Sequence, residues 1–363
     1  MSKRRANLDK DSLFDAEDIN PGPEAGLRGK FLVPPFTVLN AREGWWQARK
    51  TDWVRLGIKS EVGRGAPIGG SLLPADRAKN AAKAESFRCN GPGGLGARYG
   101  KAGAIPGGGT GKNSAYMFRT DDGYDTGDDA QSAGTGTSIF DPVLCELSYL
   151  WFAPEGGTIL DPFAGGSVRG VVASYIGHAY TGIDLRAEQI DANRLQGALI
   201  CKNETPPVWH TGDSNVVLDT LPDSNYDFLF SCPPYADLER YSDDPSDLST
   251  MDYDEFVKVY RSIIAKACAK LKDNRFACFV VGDVRSKKTG GYRNFPGDTI
   301  TAFMDAGLML YNEAILVTSV GSLPIRTGLQ FNAARKMGKT HQNILVFYKG
   351  DQKQIKEQFG PVV

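Results

Sequence analysis

The chain has 363 residues, 41% of them hydrophobic, and a formal net charge of −1. This is enough to bury a full core in one large domain or two modest ones, and a near-neutral total neither demands nor rules out a nucleic-acid partner, which needs only a local basic stripe. No apolar run reaches the roughly 20 residues that span a bilayer, and the start MSKRRANLDKDSLFD is too polar for a secretory signal, so a soluble, cytoplasmic protein with no membrane partner is expected.

Residues 1–27 are charged and carry Pro21 and Pro23, which reads as a flexible arm. Residues 28–62 set Trp45, Trp46 and Trp53 among Arg42, Arg49, Lys50 and Arg55. Two readings stand: a short helical unit that buries its tryptophans, or an aromatic and basic surface on which rings stack on bases and cations meet phosphates. Residues 63–137 shift to Gly, Ala, Asp and Ser and read as a long loop region that closes over a polymeric substrate. Within it GGGTGKNS (107–114) lacks the spacing and the preceding apolar strand of a phosphate loop.

From 138 to 350 strand and helix patterns alternate, and 351–363 reads as a C-terminal tail. DPVLCELSYLWFA has helical spacing, GTILD (157–161) is a strand, and Ser167 to Ile176 is a helix. AYTGID (179–184) is the next strand, followed by a polar helix from Ala187 to about Ile200. PVWHTGD and YDFLFS are further strands, then come a long helix from Tyr253 to Leu271 and the apolar strand RFACFVVGDV (275–284). MLYNEAILVTS and QNILVFYKG, with no long helix expected between them, read as an antiparallel hairpin. The fold class is α/β, a mostly parallel sheet with helices on both faces.

The cysteines Cys89, Cys145, Cys201, Cys232, Cys268 and Cys278 form no CxxC pair, which argues against a disulfide framework and a zinc site. His178, His210 and His341 are dispersed, and no metal is expected.

Chemistry concentrates on strand ends. DPFAGGSVRG closes a strand on Asp161, turns through Gly165 and Gly166, and opens a helix at Ser167, the arrangement by which backbone approaches a ligand closely. Asp184 closes the next strand, where a nucleotide-binding α/β fold places an acid for the ribose hydroxyls, and Asp213 follows the third, placed for an adenine amino group. Taken singly, Asp161 and Asp184 also read as helix caps and Asp213 with Ser214 as a turn. The fourth strand ends in SCPPY: Ser231, Cys232, Pro233, Pro234 and Tyr235. The paired prolines lack N–H donors, so the ladder stops and a stiff edge is left at the ligand side of the sheet.

These residues resemble the S-adenosylmethionine-dependent DNA methyltransferases that modify exocyclic amines, adenine N6 or cytosine N4, including phage-borne ones. DPFAGGS looks like their cofactor motif and CPPY like their catalytic motif, over roughly Ser138 to Gly350. The resemblance implies the class I methyltransferase, Rossmann-like fold, S-adenosylmethionine as cofactor and DNA as partner. It also implies a cofactor set of Asp161, Phe163, Gly165, Gly166, Ser167, Asp184 and Asp213 and a catalytic set of Ser231 to Tyr235, with Tyr235 as the face on which the target base stacks. The helix that begins at FDPVLCEL would bracket the methionine end of the cofactor. A nicotinamide oxidoreductase is disfavoured, because DPFAGGS lacks GxGxxG.

Cys232 departs from the pattern, since a thiol is a weak acceptor where the family has a strong one. Either the Ser231 hydroxyl and the Pro233 carbonyl take the amine, or Cys232 acts as a nucleophile toward pyrimidine C5. A non-enzymatic DNA-binding protein on a degenerate fold is a third reading. Two basic segments, 283–294 and 322–342, supply candidate phosphate contacts: Arg285, Lys287, Lys288, Arg293, Arg326, Arg335, Lys336 and Lys339. Oligomeric state, target base and recognition sequence are not legible.

Overall fold

The structure is a computed structural model and describes residues 32–59, 139–202, 204–235, 244–320 and 323–360, apart from the side chains of Ile325 and Arg326. The expectations for 1–27 and for the glycine-rich 63–137 lie outside these residues.

The chain builds one eight-stranded sheet. In sequence order the strands are β1 (Val38–Asn40), β2 (Thr158–Asp161), β3 (Ala179–Asp184), β4 (Val208–Thr211), β5 (Tyr226–Ser231), β6 (Leu271–Val281), β7 (Met309–Val317) and β8 (His341–Lys349). Across the sheet they run β1-β7-β8-β6-β5-β2-β3-β4, all parallel except β8, which is antiparallel to both β6 and β7. The helices are α1 (Gly44–Arg55), α2 (Pro142–Phe152), α3 (Val168–Tyr175), α4 (Ala187–Ile200), α5 (Ser214–Thr220), α6 (Tyr253–Lys270), α7 (Phe295–Asp305), α8 (Leu323–Ala334) and α9 (Ile355–Phe359).

Alternation along the central strands divides the core. Ile159, Phe228, Phe230, Cys278 and Val280 face a layer built from α1, α2, α3 and α4, through Trp46, Trp53, Val143, Leu147, Val171 and Ile190. Leu160, Leu229, Ala277, Phe279 and Val281 face α5, α6 and α7, through Leu218, Phe256, Tyr260, Ile264, Phe295 and Phe303. Both faces are covered, which is why β5 is buried at all six residues and reads as a continuous apolar run.

Four features add to the sequence pattern. The last two strands pair antiparallel as expected, with the 12-residue α8 between them, where no long helix was expected, and with β8 inserted between β6 and β7. The second basic segment is therefore part helix. Within residues 28–62 the described part, 32–59, joins the main sheet and its helical layer: β1 adds to the edge of β7, and α1 packs on α2. The tail begins with helical turns, and Phe359 packs its ring 5.3 Å from Phe276.

In α1 the burying reading is the one observed. Trp46 and Trp53 are fully buried, and both indoles donate to acids of the α2 segment, Trp46 to Asp141 at 3.1 Å and Trp53 to Glu146 at 2.9 Å. Arg49 closes on Glu146 through Nε at 2.7 Å and through a second, very short Nη2 contact. Glu146 lies in the middle of an apolar helix and would be intolerable as a bare charge. Asp141 in turn caps α2, accepting from the Val143 N–H at 3.0 Å just ahead of Pro142 at the first helical position.

Buried cysteines behave as small apolar groups: Cys145, Cys201, Cys268 and Cys278 are enclosed, and burial pushes the Cys268 thiol up to about 12. Among the described residues no helix is long and apolar enough to cross a membrane.

Arg49→Met is expected to lower stability by about 3–5 kcal/mol, the usual cost of leaving a buried carboxylate without its cation, and Arg49→Met with Glu146→Leu should recover most of it. Urea denaturation of both variants checks this; equal losses would show that Glu146 tolerates solitude.

Candidate active site

The sheet order reverses between β2 and β5. From β2 the chain steps outward to β3 and β4, and from β5 it steps the other way to β6. At such a switch point the strand ends part and leave a crevice, the usual ligand position in open α/β sheets. Asp161 ends β2 and Ser231 ends β5, so the two key segments are brought to one crevice by topology alone.

Asp161 is fully buried, and each of its oxygens is occupied. Oδ1 accepts from the Ser231 hydroxyl at 2.5 Å and from the Phe163 N–H at 3.1 Å; Oδ2 accepts from Arg169 Nε at 2.5 Å and from the Tyr180 phenol at 2.8 Å. Burial alone would weaken the hold of Arg169 on its proton, but Asp161 beside it more than compensates, and the guanidinium stays charged. Burial, reinforced by Asp161, pushes the Tyr180 phenol well above its usual range, so it serves as a neutral donor.

Arg169 does more than neutralise. Its Nη2 donates to the Ala164 carbonyl at 2.8 Å and, very closely, to that of Phe163, and its guanidinium lies 4.7 Å from the centre of the Phe140 ring. One side chain thus holds the strand end, the turn after it and the segment before α2.

The glycine turn follows from that hold. Gly165 has a left-handed φ of +51° that favours glycine, and a Cβ built on Gly166 meets nothing within 4 Å, so the turn is open on its outer side. Gly182 on β3 lets the turn approach: a Cβ there would lie 2.9 Å from that of Ala164. Asp184, half-buried at the end of β3, accepts from the Gly165 N–H and from the Arg186 N–H, each at 3.0 Å, which orients its carboxylate beside the turn.

Asp213 caps α5 by accepting from the Asn215 N–H at 2.8 Å, and the adjacent Gly212 N–H donates to the Asp184 carbonyl at 2.9 Å. The cap and the strand-end position are therefore compatible. Ser167 is buried, and its hydroxyl donates to Gln196 Oε1 at 3.0 Å, so that side chain braces the start of α3 against α4. Phe163 is half-buried between Tyr260 and Phe279.

At the SCPPY edge, Ser231 is fully buried and its hydroxyl is given to Asp161, so it supports the strand end from beneath. Cys232 is half-buried with its sulfur 3.8 Å from the Tyr235 hydroxyl. That hydroxyl also accepts from Gln342 Nε2 at 2.7 Å, while the ring rests over Gly282, about 3.6 Å from where a Cβ would stand, and meets Phe295 edge-on at 6.0 Å. Pro233 is buried and Pro234 half-buried.

The basic residues divide. Arg285 and Tyr292 face each other across a small antiparallel hairpin, with the guanidinium 4.0 Å from the ring centre; Lys287 and Lys288 are exposed at its tip. Arg293 leaves the hairpin and lies over the Tyr253 ring at 4.6 Å. Lys336 reaches Gly290, 3.2 Å from the Cβ position, and the Lys339 ammonium is 5.9 Å from the Tyr292 ring centre, so the two basic segments meet. Arg335 is exposed over Phe331 at 5.2 Å. The side chain of Arg326 lies outside the described part.

Sequence reasoning missed Arg169, Tyr180, Phe140, Gln342 and Gly282. For Arg169 a signal exists: it is the only charged residue in VRGVVASY. For Gln342 and Gly282 there is none.

No protein-family model matches the chain, and no curated protein matches it either. Solved structures to which it is similar include TrmN from Thermus thermophilus, at 14% identity over 58% of this chain and 49% of that one with a TM-score of 0.38. A SAM-dependent methyltransferase from Methanosarcina mazei matches at 15% identity over 55% and 94%, TM-score 0.38. A candidate DNA modification methylase from Thermus thermophilus matches at 18% over 40% and 57%, TM-score 0.30. The match spans about half the length of TrmN.

Replacing Arg169 tests the hub. Arg169→Met is expected to cost about 3–5 kcal/mol by stranding Asp161. Arg169→Lys should fall between it and the wild type, because a point charge cannot serve a carboxylate and two carbonyls at once. Thermal and urea unfolding should rank the three proteins in that order; a lysine variant as stable as the wild type would mean that only the charge matters.

Proposed function

We propose that the protein transfers a methyl group from S-adenosylmethionine to an exocyclic amine of a base in DNA, adenine N6 or cytosine N4. The observation that carries this reading is the convergence of Asp161 with its glycine turn, Asp184, Asp213 and the SCPPY edge on the carboxyl ends of β2, β3, β4 and β5, around the switch point.

The residues present fit the cofactor. Gly165 and Gly166 leave the turn open to close approach, and Asp184 would hold the ribose hydroxyls beside it. Asp213 would meet the adenine amino group, and the start of α3 offers the positive end of its dipole. S-adenosylmethionine supplies an electrophilic methyl group on a sulfonium sulfur when bound. The segment before α2 reaches the same turn through Phe140, which supports its assignment to the methionine end.

The protein's remaining task is to hold a base with its amine lone pair aimed at that methyl. The rigid prolines fix the carbonyls of the SCPPY edge, and with the Ser231 hydroxyl committed to Asp161, the Pro233 carbonyl and the Cys232 thiol are the acceptors left to take the amine. Tyr235, pinned by Gln342 and Gly282, would give the stacking face. A base inside a duplex cannot reach this edge, so the target is extruded or already single-stranded.

Asp184→Ala is expected to weaken S-adenosylmethionine binding by about 1.5–3 kcal/mol, the range for losing a charge-assisted acceptor, as read by calorimetric titration. Unchanged affinity would take Asp184 out of the site.

Nucleoside mass spectrometry of DNA from cells expressing the protein tests the reaction itself, with N6-methyladenine or N4-methylcytosine expected. Cys232→Ser should retain that product, since a hydroxyl accepts from an amine at least as well as a thiol. A 5-methylated pyrimidine that disappears in the serine variant would instead make Cys232 the nucleophile. Unmodified DNA with tight, cofactor-independent binding would favour a non-catalytic DNA-binding protein.

A further inference from the structure

Among the described residues most aromatic rings are core, and the two that are exposed with an arginine on the ring stand out for where they sit. Tyr292 is 49% exposed and Phe331 42%. Each carries an arginine on its face, Arg285 at 4.0 Å from the centre of Tyr292 and Arg335 at 5.2 Å from that of Phe331. A guanidinium on one face of a ring holds it out in solvent without burial and adds cation–π attraction to whatever stacks there.

The hairpin that presents Tyr292 is built to be stiff. Ser286 N–H donates to the Gly291 carbonyl at 2.9 Å, Gly290 N–H to that of Ser286 at 2.8 Å, and Arg293 N–H to that of Val284 at 3.0 Å. Arg285 Nη1 donates to the Gly290 carbonyl at 3.1 Å, and Gly290 takes a φ of +75° that lets the tip close. Its two ends are anchored at the candidate catalytic edge: Gly282 lies under the Tyr235 ring and Phe295 against its edge. Lys336 and Lys339 then bring the segment after α8 against the same hairpin.

We propose that Tyr292 and Phe331, backed by Arg285 and Arg335, form a stacking platform for unpaired nucleotides flanking the target base, with Lys336 and Lys339 on their phosphates; this rests on the DNA reading of the site given above. Rings carry no sequence code, because every base has a π-face, and the cations beside the hairpin would track a backbone. A fully paired duplex hides those faces, so the platform favours single-stranded or locally opened DNA.

The test is titration of the full-length protein with a short single-stranded deoxyoligonucleotide carrying 2-aminopurine, and with the same sequence fully paired. Tyr292→Ala and Phe331→Ala should each weaken single-strand binding about ten-fold or more and relieve the quenching of 2-aminopurine, while Tyr292→Phe keeps both. Neither ring variant should alter the salt slope, whereas Lys336→Ala with Lys339→Ala should reduce it by about 1–2. Tyr292→Ala and Phe331→Ala binding single strands as the wild type does would overturn the platform alone. Equal losses on single and paired strands would overturn it as well, by removing the role of exposed base faces. A wild-type protein that binds neither form overturns the platform together with the DNA reading.

Discussion

Everything at the sheet's carboxyl edge hangs on a buried ion pair. Asp161 and Arg169 are both enclosed, and burying two charges is at best a small net gain after desolvation. The pair's value is geometric. Asp161 gathers a backbone N–H, a serine hydroxyl, a phenol and a guanidinium, drawn from β5, β3, α3 and the turn itself. Arg169 spends its other donors on the two carbonyls that open the turn. A turn rich in glycine carries a high entropic cost of ordering, and this cluster is what fixes one conformation of it. Switch point, turn and SCPPY edge are thereby tied into one rigid body.

The same reasoning accounts for the tryptophans of α1. Trp46, Arg49 and Trp53 reach Asp141 and Glu146, so α1 neutralises and orients α2, and Phe140, next to the Asp141 cap, lies against Arg169. What looked in sequence like either a core unit or a nucleic-acid surface is a brace two contacts away from the glycine turn. Arg49 is committed to Glu146 inside the fold, while Arg55 pairs with Asp52 at the surface.

Central elements were legible because their patterns are strong. AYTGID, the helix from Ala187 to Ile200 and YDFLFS lie where the alternation and the flanking glycines and prolines put them. α7 and α8 were not, and for a local reason. Each begins with a proline in its first turn, FPGDTITAFMD and LPIRTGLQFNAA, and each carries a glycine that disfavours helix by about 1 kcal/mol, so neither stands out as a helix. In α7 packing overrides propensity, through Phe295 and Phe303 in the core. The strand-end acids were legible as a set, yet not their division of labour. Nothing in DPFAGGS says that Asp161 faces inward on Arg169 while Asp184 stands half-exposed beside the turn, since that depends on Tyr180 and Ser231 arriving from other strands.

The reversed strand completes the site. Because β8 runs antiparallel to β6, it begins where the parallel strands end, and Gln342 in its first turn of ladder lands on the Tyr235 hydroxyl. The residues just before it, Lys336 and Lys339, are carried to the same edge and meet the hairpin that follows β6. Had β8 been parallel, its start would lie at the opposite edge and the basic segment with it. One inversion of strand direction therefore does two things: it supplies the hydrogen bond that orients the ring at the SCPPY edge, and it sets cations beside the hairpin that follows β6. Ring orientation and the placement of these cations share a single scaffold, so a change in the α8–β8 segment is expected to be felt at Tyr235 as well as at the hairpin.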